Sequence, residues 1–320
     1  MRKTIAVMLS LLWVGAAAAQ DYPSKPIRLI VPYGPGGVSD SVGRVVAAGL
    51  SKAMNASVFV ENRGGAGGTL GANMAAQAAP DGYTVLLTSP PMIAVAPQII
   101  KNMPYDTRND LLPVSTIITT PNILVVNNDL PAKTIQELIA YGKGPGKGKL
   151  SYGSAGPGST GHLTATILMG AAGIDMEHVP YKTSAAAFPD VISGRVSMAF
   201  DSLPSTIGFV RGGKVRPLLV MSEKRSSILP DVPTAAESGF PSATMNFWMG
   251  IEAPAKTPSA VVQKLSAGLK AMMESKEVRE QMANFGAEPF YTTPGEFKQM
   301  RDADIDKYGK LVKEMGLKQD

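Results

Sequence analysis

Blocks of strand-like and helix-like residues alternate from the start of the chain's first apolar run. Residues 27–31 (IRLIV) are continuously apolar apart from one arginine, which predicts a buried parallel strand, and residues 38–50 then carry apolar side chains at helical spacing. The same order returns with a strand at 57–61, a helix at 70–78 and a third strand at 83–88. This repeated strand–helix order predicts an α/β fold with parallel strands.

The alternation continues through the rest of the chain, interrupted at two places. Residues 111–118 and 122–127 predict two strands separated by Thr119, Thr120 and Pro121, and we place the crossing into a second lobe there. A later strand at 244–253 is expected to return to the first lobe, so that two hinge segments join the lobes. Further strands are expected at 150–154, 177–181, 196–200 and 215–221, and helices at 134–141, 162–172, 184–192, 203–211, 259–273, 276–285 and 294–315.

The first strand and helix enclose a glycine-rich loop with the sequence YGPGG, followed by VSD. Gly34, Gly36 and Gly37 permit backbone angles that other residues avoid, so bare backbone can approach a ligand. The free N–H groups at the start of the following helix, and the positive end of its dipole, favour an anion there. A plain strand-to-helix connection is the alternative interpretation of this loop.

A second loop of the same kind follows the strand at 150–154, and it supplies the independent feature that the first loop needed. Residues 155–161 (AGPGSTG) combine glycines with hydroxyl groups and lead into a helix. Gly156, Gly158 and Gly161 match a dinucleotide-binding pattern, but Pro157 lies inside it and the acidic residues that follow are badly placed for a ribose. We therefore expect two anion-binding loops and no cofactor.

The amino-terminal residues and the composition indicate an exported protein. Residues 1–19 begin with Arg2 and Lys3, continue through an apolar run and end in alanines, which predicts a cleavable signal peptide and a periplasmic mature protein. The chain has no cysteine, which excludes disulfides and thiolate metal sites. Removing Arg2 and Lys3 from 31 basic residues leaves 29 against 26 acidic ones, and this mild excess does not favour nucleic-acid binding.

Two other kinds of site can be considered around the two histidines. Neither His162 nor His178 has a second histidine at i+4, which argues against a metal site. A hydrolase would need Ser159 or Ser154 activated by His162 and oriented by an acid such as Asp201. No nucleophile-elbow sequence is present, and the spacing from Ser159 to His162 suits helix capping. A hydrolase is therefore the weakest of the alternatives.

At the level of sequence motifs, the chain resembles the Bug-type extracytoplasmic solute receptors, the binding components of tripartite tricarboxylate transporters. The matching stretches are YPSKPIRLIVPYGPGGVSD, VENRGGAGGTLGA, PDGYTVLL, SYGSAGPGSTGHL, HVPYK, LPDVPTAAESG and WMGIEAPAKTP. The resemblance implies a two-lobed type II periplasmic binding protein fold with a ligand cleft between the lobes. It also implies carboxylate binding without catalysis, permease subunits as partners, and a monomer. With the predicted crossings, lobe 1 comprises residues 20–120 and 245–320, and lobe 2 comprises residues 121–244.

The resemblance and the loop chemistry together give a set of candidate ligand-binding residues. Thr183 and Tyr33 depart from the residues usual in the family, which affects ligand identity rather than fold. On lobe 1 the candidates are Tyr33, Gly36, Gly37, Val38, Ser39, Asp40 and Ser89. On lobe 2 they are Ser154, Ala155, Gly158, Ser159, Thr160, His162, Tyr181, Lys182 and Asp201.

An anion-binding loop on each lobe predicts a ligand with an acid group at each end. We expect a compact or aromatic dicarboxylate, with terephthalate-like and adipate-like acids ahead of citrate. Asp40 would repel a dianion unless it points away or meets a ligand amine, so an acidic amino acid is an alternative. A receptor that feeds a signalling partner rather than a permease is a further alternative.

Overall fold

The protein is described by a computed structural model over residues 22–314 and residue 316, so the predicted signal peptide lies outside the described residues. Within that part, ten strands form one mixed sheet. In chain order they are β1 (Ile27–Val31), β2 (Val58–Asn62), β3 (Thr84–Thr88), β4 (Leu111–Val126), β5 (Ser151–Ser154), β6 (Glu177–Pro180), β7 (Met198–Ser202), β8 (Arg216–Val220), β9 (Asn246–Pro254) and β10 (Glu288–Pro289).

Helices follow most of the strands, as the alternating pattern predicts. A π-helical turn, Pro91–Val95, follows β3, and short 3-10 turns lie at Ala66–Gly68, Ser184–Ala187 and Pro241–Ala243. The α-helices are α1 (Val38–Met54), α2 (Thr69–Ala76), α3 (Ala96–Ile99), α4 (Thr107–Asp110), α5 (Ile135–Lys143), α6 (Thr160–Ala172), α7 (Phe188–Ile192), α8 (Leu203–Arg211), α9 (Ser259–Glu274), α10 (Lys276–Asn284) and α11 (Pro294–Glu314).

The strand order contains two parallel groups joined by two long antiparallel strands. Along the sheet the order is β2-β1-β3-β9-β4-β7-β5-β6, with β8 and β10 also paired to β4. β1 runs parallel to β2 and β3, and β5 runs parallel to β6 and β7. β4 and β9 run antiparallel to each other and connect the groups. We call the half built on β1, β2 and β3 lobe 1 and the half built on β5, β6 and β7 lobe 2.

The prediction of two strands separated at residues 119–121 is wrong, because β4 is one continuous strand. Its first part pairs with β9 and its last part with β7 and β8. Pro121 has no N–H to donate, yet it stays in register with β9, and the N–H of the next residue, Asn122, bonds to Met245 O at 3.4 Å. The chain therefore passes from lobe 1 to lobe 2 inside a strand.

Each lobe has its own apolar core, and a third cluster lies between helices of both. In lobe 1, Leu29, Val46 and Leu269 are at most 1% exposed, and in lobe 2 so are Leu124 and Leu168. The third cluster joins Leu163 of α6 to the π-helical turn after β3. Among the described residues no helix is both long and apolar enough to cross a membrane.

Candidate ligand-binding site

The lobe-1 loop, residues 32–37 between β1 and α1, presents an open surface in front of a helix N-terminus. Gly37 is the N-cap of α1, with φ −88° and ψ 175°. The N–H groups of the first helical residues have no partner inside the helix. A Cβ built on Gly34, Gly36 or Gly37 would meet no heavy atom within 4 Å. This geometry leaves room for an anion beside the amides.

The buried carboxylate of Asp40 holds the lobe-1 loop in place through hydrogen bonds. It accepts hydrogen bonds from Gly36 N at 3.0 Å, Arg44 Nε at 3.1 Å and Asn62 Nδ2 at 3.0 Å. Asn62 Nδ2 also donates to Tyr33 O at 3.1 Å. Burial raises the pKa of Asp40, but these three donors outweigh it and hold the pKa below its usual value. The Gly36 amide is therefore already used within the loop, which leaves Gly37 and the start of α1 as ligand-facing donors.

A second group of glycines in lobe 1, residues 64–68, packs against Tyr33 and the lobe-1 loop. A Cβ on Gly64 would lie 3.1 Å from Gly34 N, and one on Gly68 would lie 3.3 Å from the Tyr33 hydroxyl oxygen. Only glycine permits this close approach, and Gly68 also has φ 97°. Burial raises the pKa of Tyr33, and its contact with the Ser89 hydroxyl lowers it. These glycines lie in the matching stretch VENRGGAGGTLGA, but the sequence did not identify them as part of the site.

Ser89 lies where β3 ends, at the same edge of the sheet as the lobe-1 loop. It is 3% exposed, and its carbonyl accepts the N–H groups of Met92 at 3.2 Å and Ile93 at 3.3 Å. These bonds start the π-helical turn. Ser89 thus combines a hydroxyl beside Tyr33 with a structural role in the segment that follows.

The lobe-2 loop, residues 155–159 between β5 and α6, is held by local hydrogen bonds. Ser159 is the N-cap of α6, and its hydroxyl accepts the His162 N–H at 3.3 Å. The Gly158 N–H donates to Nδ1 of the His162 ring at 3.1 Å. Gly158 has φ 75°, in the left-handed region that favours glycine. The capping interpretation of Ser159 is therefore correct, and His162 stabilises the loop directly.

His178 stacks against His162, a contact that sequence reasoning missed. The ring centroids are 4.3 Å apart with an interplanar angle of 20°, and Tyr152 continues the stack 4.9 Å from His178. His178 Nε2 lies 2.7 Å from the Ser154 hydroxyl. Burial, with a smaller contribution from His178, lowers the pKa of His162 to about 4, and burial also lowers that of His178. Both rings are therefore neutral at pH 7.

The lobe-2 loop lies against lobe 1. A Cβ on Gly158 would be 3.2 Å from Val95 Cγ1 and 3.2 Å from Ile99 Cδ1, in the segment that follows Ser89. The lobe-2 loop therefore packs on the segment of lobe 1 that follows β3. Contact at Gly158 leaves no room for a side chain there without separating the lobes.

Three further lobe-2 candidates follow β6 or lie in β7, and the Tyr181 carbonyl oxygen lies 3.7 Å from the position of a Cβ on Gly156 in the lobe-2 loop. The Tyr181 hydroxyl donates to Asp190 Oδ2 at 2.7 Å, so it points towards α7, and Lys182 is exposed. Asp201 is 7% exposed and accepts the Ser202 N–H at 2.7 Å. Burial raises the pKa of Asp201 to about 6, partly offset by that N–H and by the nearby hydroxyls of Ser184 and Ser205.

The other candidates lie in the lobe-2 loop or among the first residues of the helices that follow the two loops. Val38 and Ser39 are half-buried at the start of α1, Thr160 is buried at the start of α6, and Ala155 is exposed.

The geometry does not form a Ser-His-Asp triad. Ser159 contacts the backbone of His162 rather than its ring, and Ser154 contacts His178. Within the described chain, no hydrogen bond joins Asp201 to either histidine. The described residues also contain no cluster of three or more His, Asp or Glu side chains that could hold a metal ion. Both loops offer instead neutral N–H and hydroxyl groups suited to an anion.

Comparison with known proteins identifies the family and the fold of the chain. Residues 42–317 match the model of a family described as "Tripartite tricarboxylate transporter family receptor". The structure of the periplasmic binding protein BugD is similar with a TM-score of 0.82 and 33% identity, covering 93% of this chain and 100% of that one. Together these matches confirm the two-lobed type II periplasmic binding protein fold.

Two similar structures contain a bound acid. "R. palustris Rpa4515 with adipate" has a TM-score of 0.84 and 33% identity, covering 93% of this chain and 99% of that one. MatC from Rhodopseudomonas palustris, with bound malate, has a TM-score of 0.80 and 28% identity, covering 91% of this chain and 100% of that one. The similar proteins are solute-binding receptors and not enzymes, which confirms the expected receptor role.

Proposed function

The chain belongs to the tripartite tricarboxylate transporter receptor family, and on that premise we propose that it captures a small dicarboxylate between its lobes and delivers it to a transporter permease. The observation that carries the proposal is the pair of glycine-containing loops, one on each lobe, that each lead into a helix N-terminus. In this proposal the two loops face one ligand between the lobes. An N-terminus favours negative charge through its free N–H groups and its dipole. Two of them on opposite lobes suit a ligand with an acid group at each end.

The charge of the ligand is held by neutral donors in this proposal. Gly37, Ser39, Ser159 and Thr160 supply N–H or hydroxyl groups at the two loops, and Arg44, a cation in α1, is paired with Asp40. Each charge-assisted hydrogen bond contributes on the order of 1.5 to 3 kcal/mol. A monocarboxylate would leave one loop unused. The adipate and malate bound by similar proteins are both dicarboxylates, which supports the class but not a particular acid.

An aromatic spacer between the two acid groups is compatible with the site. Tyr33 is half-buried beside the lobe-1 loop and offers an apolar ring face. His162 is 8% exposed and its ring already stacks on His178, so the aromatic surface comes mainly from lobe 1. We therefore keep terephthalate-like and adipate-like acids as the first candidates.

An acidic amino acid is the second candidate, and one observation favours it. Asp40 is already satisfied by three donors, so it is not the partner of a ligand amine. Asp201 Oδ2 is buried and has no hydrogen-bond partner. In this alternative, a ligand ammonium group donates a hydrogen bond to that oxygen.

A receptor that serves a signalling partner would bind its ligand in the same way. Copurification of the liganded protein with a membrane partner distinguishes the permease role from the signalling role.

A thermal-shift screen of the mature protein tests the ligand class. The panel contains terephthalate, adipate, malate, citrate, benzoate, acetate and glutamate, together with the monomethyl esters of the dicarboxylates. We expect the largest rise in melting temperature with a dicarboxylate, and loss of that rise with its monoester. If only monocarboxylates raise the melting temperature, the two-ended proposal is wrong. If only glutamate does, the amino-acid alternative replaces it.

We further propose that the mature protein is a periplasmic monomer that begins at Gln20. Ala17 and Ala19 satisfy the small-residue rule for signal cleavage. In this proposal lobe 1 comprises residues 20–120 and 245–320, and lobe 2 comprises residues 121–244. Intact mass spectrometry of the exported protein tests the cleavage site, and an exported species that retains residues 1–19 would contradict it.

A further inference from the structure

Both histidines of the chain lie under the lobe-2 loop, although no part of the proposed ligand binding requires them. We propose that His162 is a positioning residue whose unprotonated ring holds Gly158 against lobe 1, so that the two lobes close only while His162 is neutral. The inference rests on the proposed function in one respect, since lobe closure is what captures the ligand.

The hydrogen bond from Gly158 defines the chemical state of His162. Because the Gly158 N–H is a donor, the Nδ1 atom that receives it at 3.1 Å must carry a lone pair. The ring is therefore neutral, with its proton on Nε2. His178 contacts the Ser154 hydroxyl through Nε2, and that hydroxyl also accepts the Gly156 N–H at 3.1 Å. The two imidazoles thus support both ends of the same loop.

Protonation of His162 would turn the acceptor at Nδ1 into a donor. Gly158 N–H and the new Nδ1–H would then face each other, and one of them has to move. The titratable groups facing His162 are His178 from β6 and Tyr152 from β5. α6 itself contributes no charged side chain here, and the lobe-1 segment opposite Gly158 contributes apolar Val95 and Ile99. Within the described part of the chain, no carboxylate forms a hydrogen bond with either imidazole, so none of these contacts offsets the added charge.

Movement of Gly158 would be transmitted to the contact between the lobes. The position of a Cβ on this residue is already 3.2 Å from both Val95 and Ile99, so the backbone has little room on that side. Rotating the amide away from His162 displaces the part of the lobe-2 loop that touches lobe 1. The depressed pKa of His162 means that the neutral, closing form predominates at pH 7 and is lost in acid.

Nuclear magnetic resonance of ¹⁵N-labelled, ligand-free protein tests the first half of the proposal. Imidazole spectra between pH 7.5 and pH 3.5 give the tautomer and titration of each histidine, and amide exchange gives the protection factor of Gly158. We expect the Nε2–H tautomer and a loss of Gly158 protection of at least tenfold as His162 titrates. The Gly36 amide, bonded to Asp40 in lobe 1, is the internal control and should keep its protection.

Two substitutions separate protonation from packing. His162→Asn provides an oxygen near the position of Nδ1 that accepts but does not titrate, so Gly158 should remain protected throughout. His162→Phe keeps a ring in the stack without an acceptor, so Gly158 should be unprotected at every pH. Constant Gly158 protection through the wild-type titration, or the same acid loss in His162→Asn, would overturn the proposal. If His162→Phe does not fold, the comparison of the wild type with His162→Asn still tests whether protonation of His162 releases the Gly158 amide.

Adipate binding and small-angle scattering test the coupling to closure. With adipate as the probe, we expect wild-type affinity to fall at least tenfold more than that of His162→Asn across the histidine titration. The adipate-induced decrease in radius of gyration should be lost in parallel. A Gly158 response without any change in closure would overturn the second half of the proposal. Failure of adipate to bind at pH 7 would count against the proposed ligand class, while the amide exchange would still decide the role of His162.

Discussion

At the scale of single residues, Gly37 and Lys182 test how the ligand's charge is held. Gly37 has φ −88° and open space around its Cβ position, so valine should fit the fold while filling the space beside the α1 amides. We expect Gly37→Val to weaken binding roughly 100-fold, the loss of one or two charge-assisted hydrogen bonds. Lys182 is exposed, so Lys182→Ala should change affinity less than about threefold. Calorimetry with the best acid from the screen measures both.

Gly208→Val is the matched control for Gly37→Val. Gly208 lies in α8, it is exposed, and a Cβ there also meets no heavy atom within 4 Å. This variant should bind as the wild type does. If Lys182→Ala weakens binding more than Gly37→Val, the ligand is held by a salt bridge and not by neutral donors.

The buried histidines should make folding stability depend on pH in the acid range. Above the unfolded pKa of about 6.5, neither state of the protein protonates His162, so it contributes no slope. As the pH falls from 6.5 to about 4, the unfolded state takes up a proton that the folded state excludes. The free energy of unfolding should therefore fall, by roughly 3 kcal/mol over this window for a shift of this size. Below about pH 4 the loss from His162 stops.

Comparison of the wild type with His162→Phe isolates this effect in urea unfolding at several pH values. Asp201 acts in the opposite direction, because its raised pKa lets the folded state bind a proton first. It is present in both proteins and cancels in the difference. Equal dependence of stability on pH in both proteins would contradict the assignment of His162 as a buried neutral base.

The sequence predicted the backbone features of the site better than its side-chain partners. Glycines and hydroxyl residues between a strand and a helix identified both loops, because that order fixes a helix N-terminus. The partner of Asp40, Asn62, is 22 residues away, and His178 reaches His162 only because β6 pairs beside β5. Contacts of this kind depend on strand order, which the local pattern does not contain.

At the scale of elements, an ion pair anchors the carboxy-terminal helix to the sheet. Arg301 of α11 and Glu252 of β9 are both 0% exposed, with Arg301 Nη1 3.1 Å from Glu252 Oε1. Arg301 Nη1 also donates to the carbonyls of Thr107 and Leu111 at 3.0 Å. Arg301 also pairs with Asp302, with Nη2 3.0 Å from Oδ1, so removing Glu252 does not leave the guanidinium alone. Burial raises the pKa of Glu252 to about 7 although Arg301 lowers it. Removing Arg301 leaves that carboxyl buried without this cation, and breaking a buried pair in this way typically costs about 3 to 5 kcal/mol.

Replacement of the pair by apolar residues tests this reasoning. Arg301→Met should lower the free energy of unfolding by about 3 to 5 kcal/mol, because Glu252 remains buried without its partner. The double variant Glu252→Leu with Arg301→Met should recover most of that loss, although the two carbonyls still lack a donor. Urea unfolding of the wild type, both single variants and the double variant gives the interaction free energy between the two side chains. A double variant no more stable than Arg301→Met would show that the carbonyl bonds dominate.

Element boundaries were predictable where capping or an apolar period defined them. The helix expected from residue 134 begins there, with the Thr134 hydroxyl accepting the Glu137 N–H at 3.1 Å, and α8 matches its predicted bounds. The expected helix at 184–192 instead begins as a 3-10 turn and becomes α7 at Phe188, directly before Pro189. β4 was divided in the prediction because threonines and a proline resemble a loop. Pairing along its whole length with β9, β7 and β8 overrides that local preference.

At the scale of the whole molecule, the two lobes touch on more than one side. Besides the contact at Gly158, the Ser227 hydroxyl of lobe 2 donates to Glu288 Oε1 of lobe 1 at 2.8 Å. A Cβ on Gly286 would lie 3.4 Å from Ile207 of α8. The chain crosses between the lobes twice, within β4 and directly before β9. Relative movement of the lobes must therefore bend the paired strands near residues 119–122 and 242–247.

Ligand binding should close the lobes about these two proposed hinges. A ligand held by both loops interacts more favourably with the closed arrangement, and this difference in affinity shifts the population towards it. We expect small-angle scattering to show a smaller radius of gyration at saturating ligand than without ligand. At a ligand concentration about tenfold above the wild-type dissociation constant, Gly37→Val, which blocks the lobe-1 loop but leaves both hinges intact, should show only about a tenth of the wild-type decrease. An unchanged radius in the wild type at saturation would contradict closure about the strands. A decrease in Gly37→Val as large as that of the wild type would mean that the added acid acts as a general solute.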